Sequence, residues 1–457
     1  MLSVSSNSGL RSCVRSQRSQ SGSPVFLRPG VLSRGGRPFR RLSRLRSDPS
    51  GSPTVTTPHS GYHFDGSDRR FFEGWYFKVA LPEEDESFAL IFSVEDPQGN
   101  SPTSGVGAQV MGPGDGYIVQ YDKNADNFWA ERNKLALGSC FERNQGQPVA
   151  KRMVSQETFE KSVKLGFQST STFHQGHIMQ NEEGAAGHID PTVQSCKWRF
   201  KVHGVYGWGD SSSSQKSTGG WLAVLPVFEP HWQVMLAHGL ATGWFEWGEK
   251  RYEFRDAPTY YEKNWGAGFP SRWFWVQCNV FDGHPDLCLT AVGARRKIGL
   301  QTDEEDVGMI GLHYQGNFYE LVPWAGGVEW KVSPWGSWFI KAKTQTLEAE
   351  LTVTCKPTSG TPLRAPLVGE GLAPFCKDSF FGKASVKLWR RQAGRRGALI
   401  VEAESDLAAV EVGGGPWWDD WEAKAEMKEP LRSLVQIPVD VSALAKLAPG
   451  PLKPPGL

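Results

Sequence analysis

Leu347-Glu-Ala-Glu-Leu-Thr-Val-Thr-Cys355 alternates apolar and polar residues with the period of two that a strand imposes, and its reading decides the fold class. Leu347, Ala349, Leu351, Val353 and Cys355 share one face, and Glu348, Glu350, Thr352 and Thr354 the other. That is a half-buried antiparallel strand. The same reading outward along the chain places strands at 75–81, 88–95, 197–205, 221–228, 232–247, 251–255, 273–281, 287–294, 338–343 and 384–390. The 51 Gly and 30 Pro interrupt long helices and suit many strands joined by turns. Helical periodicity is nearly absent, and the best helix candidate is 418–435. So many antiparallel strands must close or stack to hide their edges, which predicts an all-β chain of two barrel or sandwich units.

Arg272 to Phe281 carries Phe274, Val276, Cys278 and Val280 on one face and Trp273, Trp275, Gln277, Asn279 and Phe281 on the other. Both faces therefore read as buried. A Trp face with Gln and Asn suits either a ligand cavity with aromatic walls or a wide aromatic core, and the pattern alone favours the core. Gly74-Trp-Tyr-Phe-Lys-Val followed by Phe88-Ala-Leu-Ile-Phe-Ser-Val is echoed by Arg272-Trp-Phe-Trp-Val followed by Leu287-Cys-Leu-Thr-Ala-Val, which hints at a duplication. Segments 181–187 and 210–220 read as surface loops.

Residues 1–50 hold ten Arg, thirteen Ser, no Lys, no Glu and one acid, Asp48. This is the chemistry of an organelle transit peptide, expected to be disordered. Without those ten bases and one acid, 40 basic and 48 acidic residues remain, so no basic footprint for nucleic acid survives. No apolar run approaches the roughly 18 residues that cross a bilayer, which predicts a chain soluble or peripheral to membranes. The seven Cys form neither a CxxC pair nor a ligand-like cluster with His and read as buried apolar groups. The expected domains are 51–230 and 231–410, with a tail over 411–457 packed on them.

There is no P-loop, dinucleotide fingerprint, HExxH or GxSxG. Two dense polar and aromatic clusters remain, Pro58-His-Ser-Gly-Tyr-His-Phe-Asp-Gly-Ser-Asp-Arg-Arg-Phe-Phe-Glu-Gly-Trp75 and Ala257-Pro-Thr-Tyr-Tyr-Glu-Lys-Asn-Trp-Gly-Ala-Gly-Phe-Pro270. Both resemble the tocopherol cyclase family. The resemblance extends through His231-Trp-Gln-Val-Met-Leu-Ala-His-Gly-Leu-Ala-Thr-Gly-Trp-Phe-Glu-Trp247 to Lys453-Pro-Pro-Gly-Leu457.

It implies a lipocalin-like fold in two parts, a chloroplast location on plastoglobules or peripheral to thylakoid or envelope membranes, and an intramolecular lyase of the isomerase class. The substrates implied are prenylated benzoquinols: 2,3-dimethyl-5-phytyl-1,4-benzoquinol and 2-methyl-6-phytyl-1,4-benzoquinol give γ- and δ-tocopherol, and plastoquinol gives plastochromanol. No metal or organic cofactor is implied. The family is also similar to carotenoid hydratases, which protonate an isolated alkene.

Closing a chroman ring requires a proton on a trisubstituted alkene and capture of the tertiary cation by the phenol oxygen. An unactivated alkene is a poor base, so the acid must be a carboxyl kept protonated by apolar surroundings. Glu262 is the first candidate, flanked by Tyr260, Tyr261 and Trp265 and matching the acidic position of the hydratase-like relatives. Asp65 and Glu73 are the reserves. A salt bridge from Glu262 to Lys263, Arg251 or Arg255 is the competing reading, and it would keep the group ionised.

Trp265 and Trp273 are candidates to face the cation, with Trp275, Tyr260 and Tyr261 as further substrate-binding residues of the pocket. His59, His63 and His238 are candidates to orient the quinol hydroxyl or take its proton, and Asn264 and Lys263 to hold the second oxygen. The spacing of His59 and His63 would suit a metal on a helix, but Pro58, Gly61 and Gly66 argue for a loop. Trp residues in Pro416-Trp-Trp-Asp-Asp-Trp421 either dip into a lipid interface or cap a barrel. Two rival functions are a hydratase and a lipid carrier without catalysis. A surface position for Glu262 would favour the carrier.

Overall fold

The computed structural model describes residues 55–99, 101–181, 193–210, 215–224, 229–297, 304–333, 335–414, 419–437, 439 and 455–457. The segment 1–50 read as a transit peptide, Trp417 and Trp418 lie outside them.

Two antiparallel sheets make up the fold. The first holds β1 (Phe72–Leu81), β2 (Glu86–Glu95), β3 (Gly105–Gly112), β4 (Gly116–Asp122), β5 (Trp129–Ala130), β6 (Ala136–Arg143), β7 (Val163–Thr170), β8 (Phe173–Met179), β9 (Ser195–Tyr206), β10 (His231–Trp247) and β11 (Lys250–Gly266). Its strand order is β4-β3-β2-β1-β11-β10-β9-β8-β7-β6-β5. The second holds β12 (Arg272–Cys278), β13 (Cys288–Lys297), β14 (Glu304–Tyr314), β15 (Asn317–Leu321), β16 (Gly326–Ser333), β17 (Ser337–Thr344), β18 (Leu347–Thr354), β19 (Thr361–Leu367), β20 (Gly371–Gln392), β21 (Arg395–Gly413) and β22 (Trp421–Ala425). Its order is β15-β14-β13-β12-β21-β20-β18-β17-β16-β22, with β19 on β20.

The two sheets share one plan, in that a meander (β1–β4, β12–β15) pairs its first strand with the last strand of a long hairpin (β10–β11, β20–β21). The echoed aromatic strands are thus the equivalent β1–β2 and β12–β13. Ala393 and Gly394 turn the second hairpin with φ of 47° and 75°, the conformation a two-residue turn needs to match strand twist. The chain leaves the first sheet at Gly266, beyond the expected midline near Pro230, because β10 and β11 pair with β9 and β1.

Each sheet curls around its own core. Ile118 on β4 and Leu137 on β6, toward opposite ends of the first sheet, meet in one cluster, as do Leu321 on β15 and Trp421 on β22 in the second. β18 behaves as its alternation requires: Ala349, Leu351 and Val353 enter the second core, and Glu350 pairs outward with Lys341 and Arg396. A third apolar cluster, including Met111, Val234, Tyr260, Trp273, Trp275 and Phe380, fills the space where the sheets face each other. The six cysteines within the described residues are free and buried.

Three expectations fail locally. Segment 221–228 contains a 3₁₀ turn at Trp221–Val224, not a strand, and 225–228 lies outside the described residues. The 418–435 helix is instead β22 followed by α2 (Leu431–Val435), because Trp421 and Ala425 pair into β16 and fill the second core. Trp421 therefore caps a core and is not at a surface. A further helix, α1 (Gln156–Ser162), starts on a Ser155 side-chain cap. The 210–220 loop is in part internal: Thr218 is fully buried and accepts the Val234 amide.

Asp115 ties the sheets together. Its carboxylate accepts from Gly360 N (3.0 Å), Ser379 Oγ (2.7 Å) and Phe380 N (2.9 Å). Asp115→Ala leaves these donors without their acceptor and is expected to destabilise the fold by about 2–4 kcal/mol, measured by denaturant unfolding.

Candidate active site

Alternation along β11 sorts the predicted residues into two places. Tyr260, Glu262 and Asn264 point toward the second sheet, whereas Tyr261, Lys263 and Trp265 point to the inner side of the first. Along β12, Trp273 and Trp275 face β11, and Phe274, Val276 and Cys278 enter the second core. Between the sheets lies a cavity of about 600 Å³, in the usual range for small-molecule sites. Its inner wall includes Trp232, Glu262, Asn264, Trp273, Trp275 and Glu411.

Glu262 Oε2 accepts from the Tyr260 hydroxyl at 2.6 Å and from Trp275 Nε1 at 2.9 Å. The residue is 8% exposed. No ion pair reaches it among the described residues; Lys263 turns to the opposite face, and Arg251 pairs on the surface with Glu246 and Glu253. Burial raises its pKa to about 7, with the nearby Glu411 adding to the rise and the Tyr260, Trp232 and Trp275 donors opposing it. Near neutrality, then, much of Glu262 is a protonated carboxylic acid facing indoles.

The second place is a buried polar cluster on the inner side of β11. Lys263 Nζ contacts Glu73 Oε1 at 2.5 Å and donates to Gly61 O at 2.6 Å. His63 Nδ1 lies 3.3 Å from Glu73 Oε1, and His63 Nε2 lies 3.2 Å from His59 Nδ1. Trp265 stacks on His63 with ring centroids 3.8 Å apart, and on His231 at 5.0 Å. Burial and the Lys263 charge push His63 well below its ordinary value; burial does the same to His59, so both rings are neutral. Gly456 packs against the His63 ring, closing the cluster with the end of the chain.

The structure therefore brings Glu262, Asn264, Trp273 and Trp275 to one cavity, with Tyr260 buried behind Glu262, and gathers His59, His63, Glu73, Lys263 and Trp265 elsewhere. Asp65 is at neither; it is exposed, accepts the Ser67 amide, and is held below the usual range despite some burial. Tyr261 turns into the first core and bonds His174 Nε2 at 2.7 Å. His238 is buried near Tyr206, and burial lowers it to about 4.

Residues the sequence reading passed over are Trp232, His231, Tyr76, Asp378 and Glu411. Trp273 Nε1 donates to Glu411, which pairs in register with both Trp275 and Asp378. Glu411 had a legible signal, as the only charged residue in Leu407-Ala-Ala-Val-Glu-Val-Gly413. The donor atoms of Cys376, Asp378 and Glu411 lie within 4.8 Å of one another, so this corner offers three ligand atoms to a cation if deprotonated.

The tocopherol cyclase-like family model matches residues 69–414. A probable chloroplastic tocopherol cyclase of Oryza sativa subsp. japonica is 46% identical over 417 residues, covering 88% of this chain and 87% of that protein. The chloroplastic tocopherol cyclase of Zea mays is 45% identical, with 88% and 87% covered. Among solved structures, CghA matches with a TM-score of 0.46 at 10% identity, over 80% of this chain and 94% of that one. By sequence over most of its length, this chain belongs to the tocopherol cyclase-like family.

Proposed function

We propose that the chain is a tocopherol cyclase that closes the chroman ring of phytylated benzoquinols, an intramolecular lyase of the isomerase class. The observation that carries this reading is Glu262: a buried carboxyl without a cationic partner among the described residues, its pKa near 7, aimed into an aromatic cavity. Its proton goes to the less substituted alkene carbon, and the tertiary cation is met by the faces of Trp232, Trp273 and Trp275, each worth about 0.5–2 kcal/mol. The quinol oxygen then attacks in place of water, which the apolar walls keep out.

The dimethyl and monomethyl phytyl quinols would give γ- and δ-tocopherol, and plastoquinol plastochromanol. The relatives' names and the Arg/Ser-rich start of the chain support a plastid location; a lipid substrate suits plastoglobules or membrane surfaces. Asn264, in the same cavity, is placed to hold the second quinol oxygen. The buried cluster of Glu73, His59, His63 and Trp265 is assigned to holding the end of the first sheet.

A pH profile tests the assignment. The active form is the protonated acid, so kcat/KM should be level below the Glu262 pKa of about 7 and fall by about tenfold per pH unit above it. Stability follows the same sign: a carboxyl whose folded pKa is raised stabilises below its unfolded value, and that contribution is lost as pH rises through about 7. An activity that rises with pH across this range would remove Glu262 from the role of acid.

A further inference from the structure

The cyclase reading uses one carboxyl of a cavity that holds more. Glu411 lines the same wall as Glu262, and the two are held by indoles two residues apart on β12, Trp273 and Trp275, a spacing of about 6.6 Å at roughly 3.3 Å per residue. Asp378 stands directly across from Glu411 on β20, only 2% exposed, with its Oδ1 lacking a protein partner. Tyr76 stands across from Glu262 on β1; its hydroxyl is shut off from solvent and also lacks a protein partner. Burial first, then the charges of Asp378, Glu262 and Glu411, raise the Tyr76 phenol far above its ordinary value, so that hydroxyl stays protonated in the field of the three acids.

Resting on the cyclase reading, we propose that Glu411 and Asp378 share one proton and that this pair takes the proton released by the quinol oxygen during ring closure. The charged groups bearing on Asp378 are Glu411, Asp115 and Glu262, all acids, so after burial their repulsion favours retaining a proton there. The step balances. The Glu262 O–H bond breaks as the new C–H bond forms; an oxygen lone pair makes the C–O bond to the cation; the quinol O–H bond breaks, leaving its electrons on oxygen and its proton on the pair. Glu262 regains a proton, and the pair gives one up, before the next turnover. Nothing is oxidised or reduced.

Glu411→Gln and Glu411→Asp, assayed with the reduced dimethyl phytyl quinol in detergent, test this. Glu411→Gln should lower kcat by about a hundredfold with KM within about twofold, and Glu411→Asp should recover at least about a tenth of the wild-type rate. In parallel, infrared spectra near neutral pH should show a protonated-carboxyl band in wild type that persists in Glu262→Gln and is lost in Asp378→Asn. Wild-type kcat in Glu411→Gln, a loss confined to KM, or absence of that band would overturn the proposal. So would a stoichiometric metal ion in the purified wild type that Glu411→Gln loses, since the pair would then be ligands. If the wild type itself yields no chromanol, the cyclase reading fails, an outcome told apart by its independence of residue 411.

Discussion

Glu262→Gln is expected to lower kcat for ring closure by about 10³–10⁴-fold, with KM little changed and the protein fully folded. The amide keeps the size and the acceptor oxygen that Tyr260 and Trp275 use, so packing and the local bonds persist. What disappears is the acidic proton. Because the alkene is so weak a base, no other group in the cavity wall substitutes cheaply; Glu411 is already engaged by Trp273 and Asp378. Above pH 7 the variant should also be slightly more stable than wild type, since a buried carboxyl that must ionise there is replaced by a neutral group. Steady-state kinetics with a thermal melt on the same preparation separate the two effects. A folded variant with more than about a tenth of wild-type kcat would move the acid elsewhere.

Lys263→Met is expected to destabilise the protein by about 3–5 kcal/mol. Lys263 and Glu73 are fully buried on the inner side of the first sheet, each pushed toward its neutral form by burial and drawn back by the other's charge. Removing the ammonium alone leaves Glu73 with the His63 amide and ring as partners and strips Gly61 O of its donor. The double variant Glu73→Gln/Lys263→Met should regain much of that loss, because it removes the stranded charge. Denaturant unfolding of the two singles and the double gives the coupling energy. A Lys263→Met protein as stable as wild type would show that the contact does not hold the fold.

These two lysine and glutamate neighbours show what the sequence could and could not tell. Period-two alternation made β18, β9 and β12 legible, and it fixed that both faces of Arg272–Phe281 are buried, since short-range pattern records which side of a strand meets water. The same rule put Glu262 and Lys263 on opposite faces, which removes their mutual ion pair. It could not say which face was the cavity. That depends on β11 lying against β12 across the sheets, a contact between segments whose orientation only the tertiary fold sets.

The position of Glu411 and Asp378 beside Trp273 and Trp275 was hidden for the same reason, because β12 pairs with β21 more than a hundred residues later in the chain, although Glu411 stood out as a lone charge in an apolar run. The interface and cap readings of Trp421 could not be separated because its neighbours carry a mixed pattern, and only pairing with β16 shows it as core. Asp65 and Glu73 looked alike as carboxyls in one polar cluster, yet one lies in an exposed turn and the other on β1 facing inward. His238 and Tyr261 were drawn in by chemistry, but β10 and β11 turn both away from the cavity wall.

The account stands most directly on where the proton goes and whether water follows it. Purified wild-type protein incubated in D₂O with reduced 2,3-dimethyl-5-phytyl-1,4-benzoquinol under anaerobic conditions, with product mass and NMR read together, measures both. The prediction is a chromanol of unchanged composition carrying one carbon-bound deuterium on the ring methylene beside the new C–O bond, formed in wild type and not in Glu262→Gln. A product heavier by one water would make the protein a hydratase, and quinol recovered bound but unaltered would make it a carrier; either would contradict the claim that this cavity closes a ring.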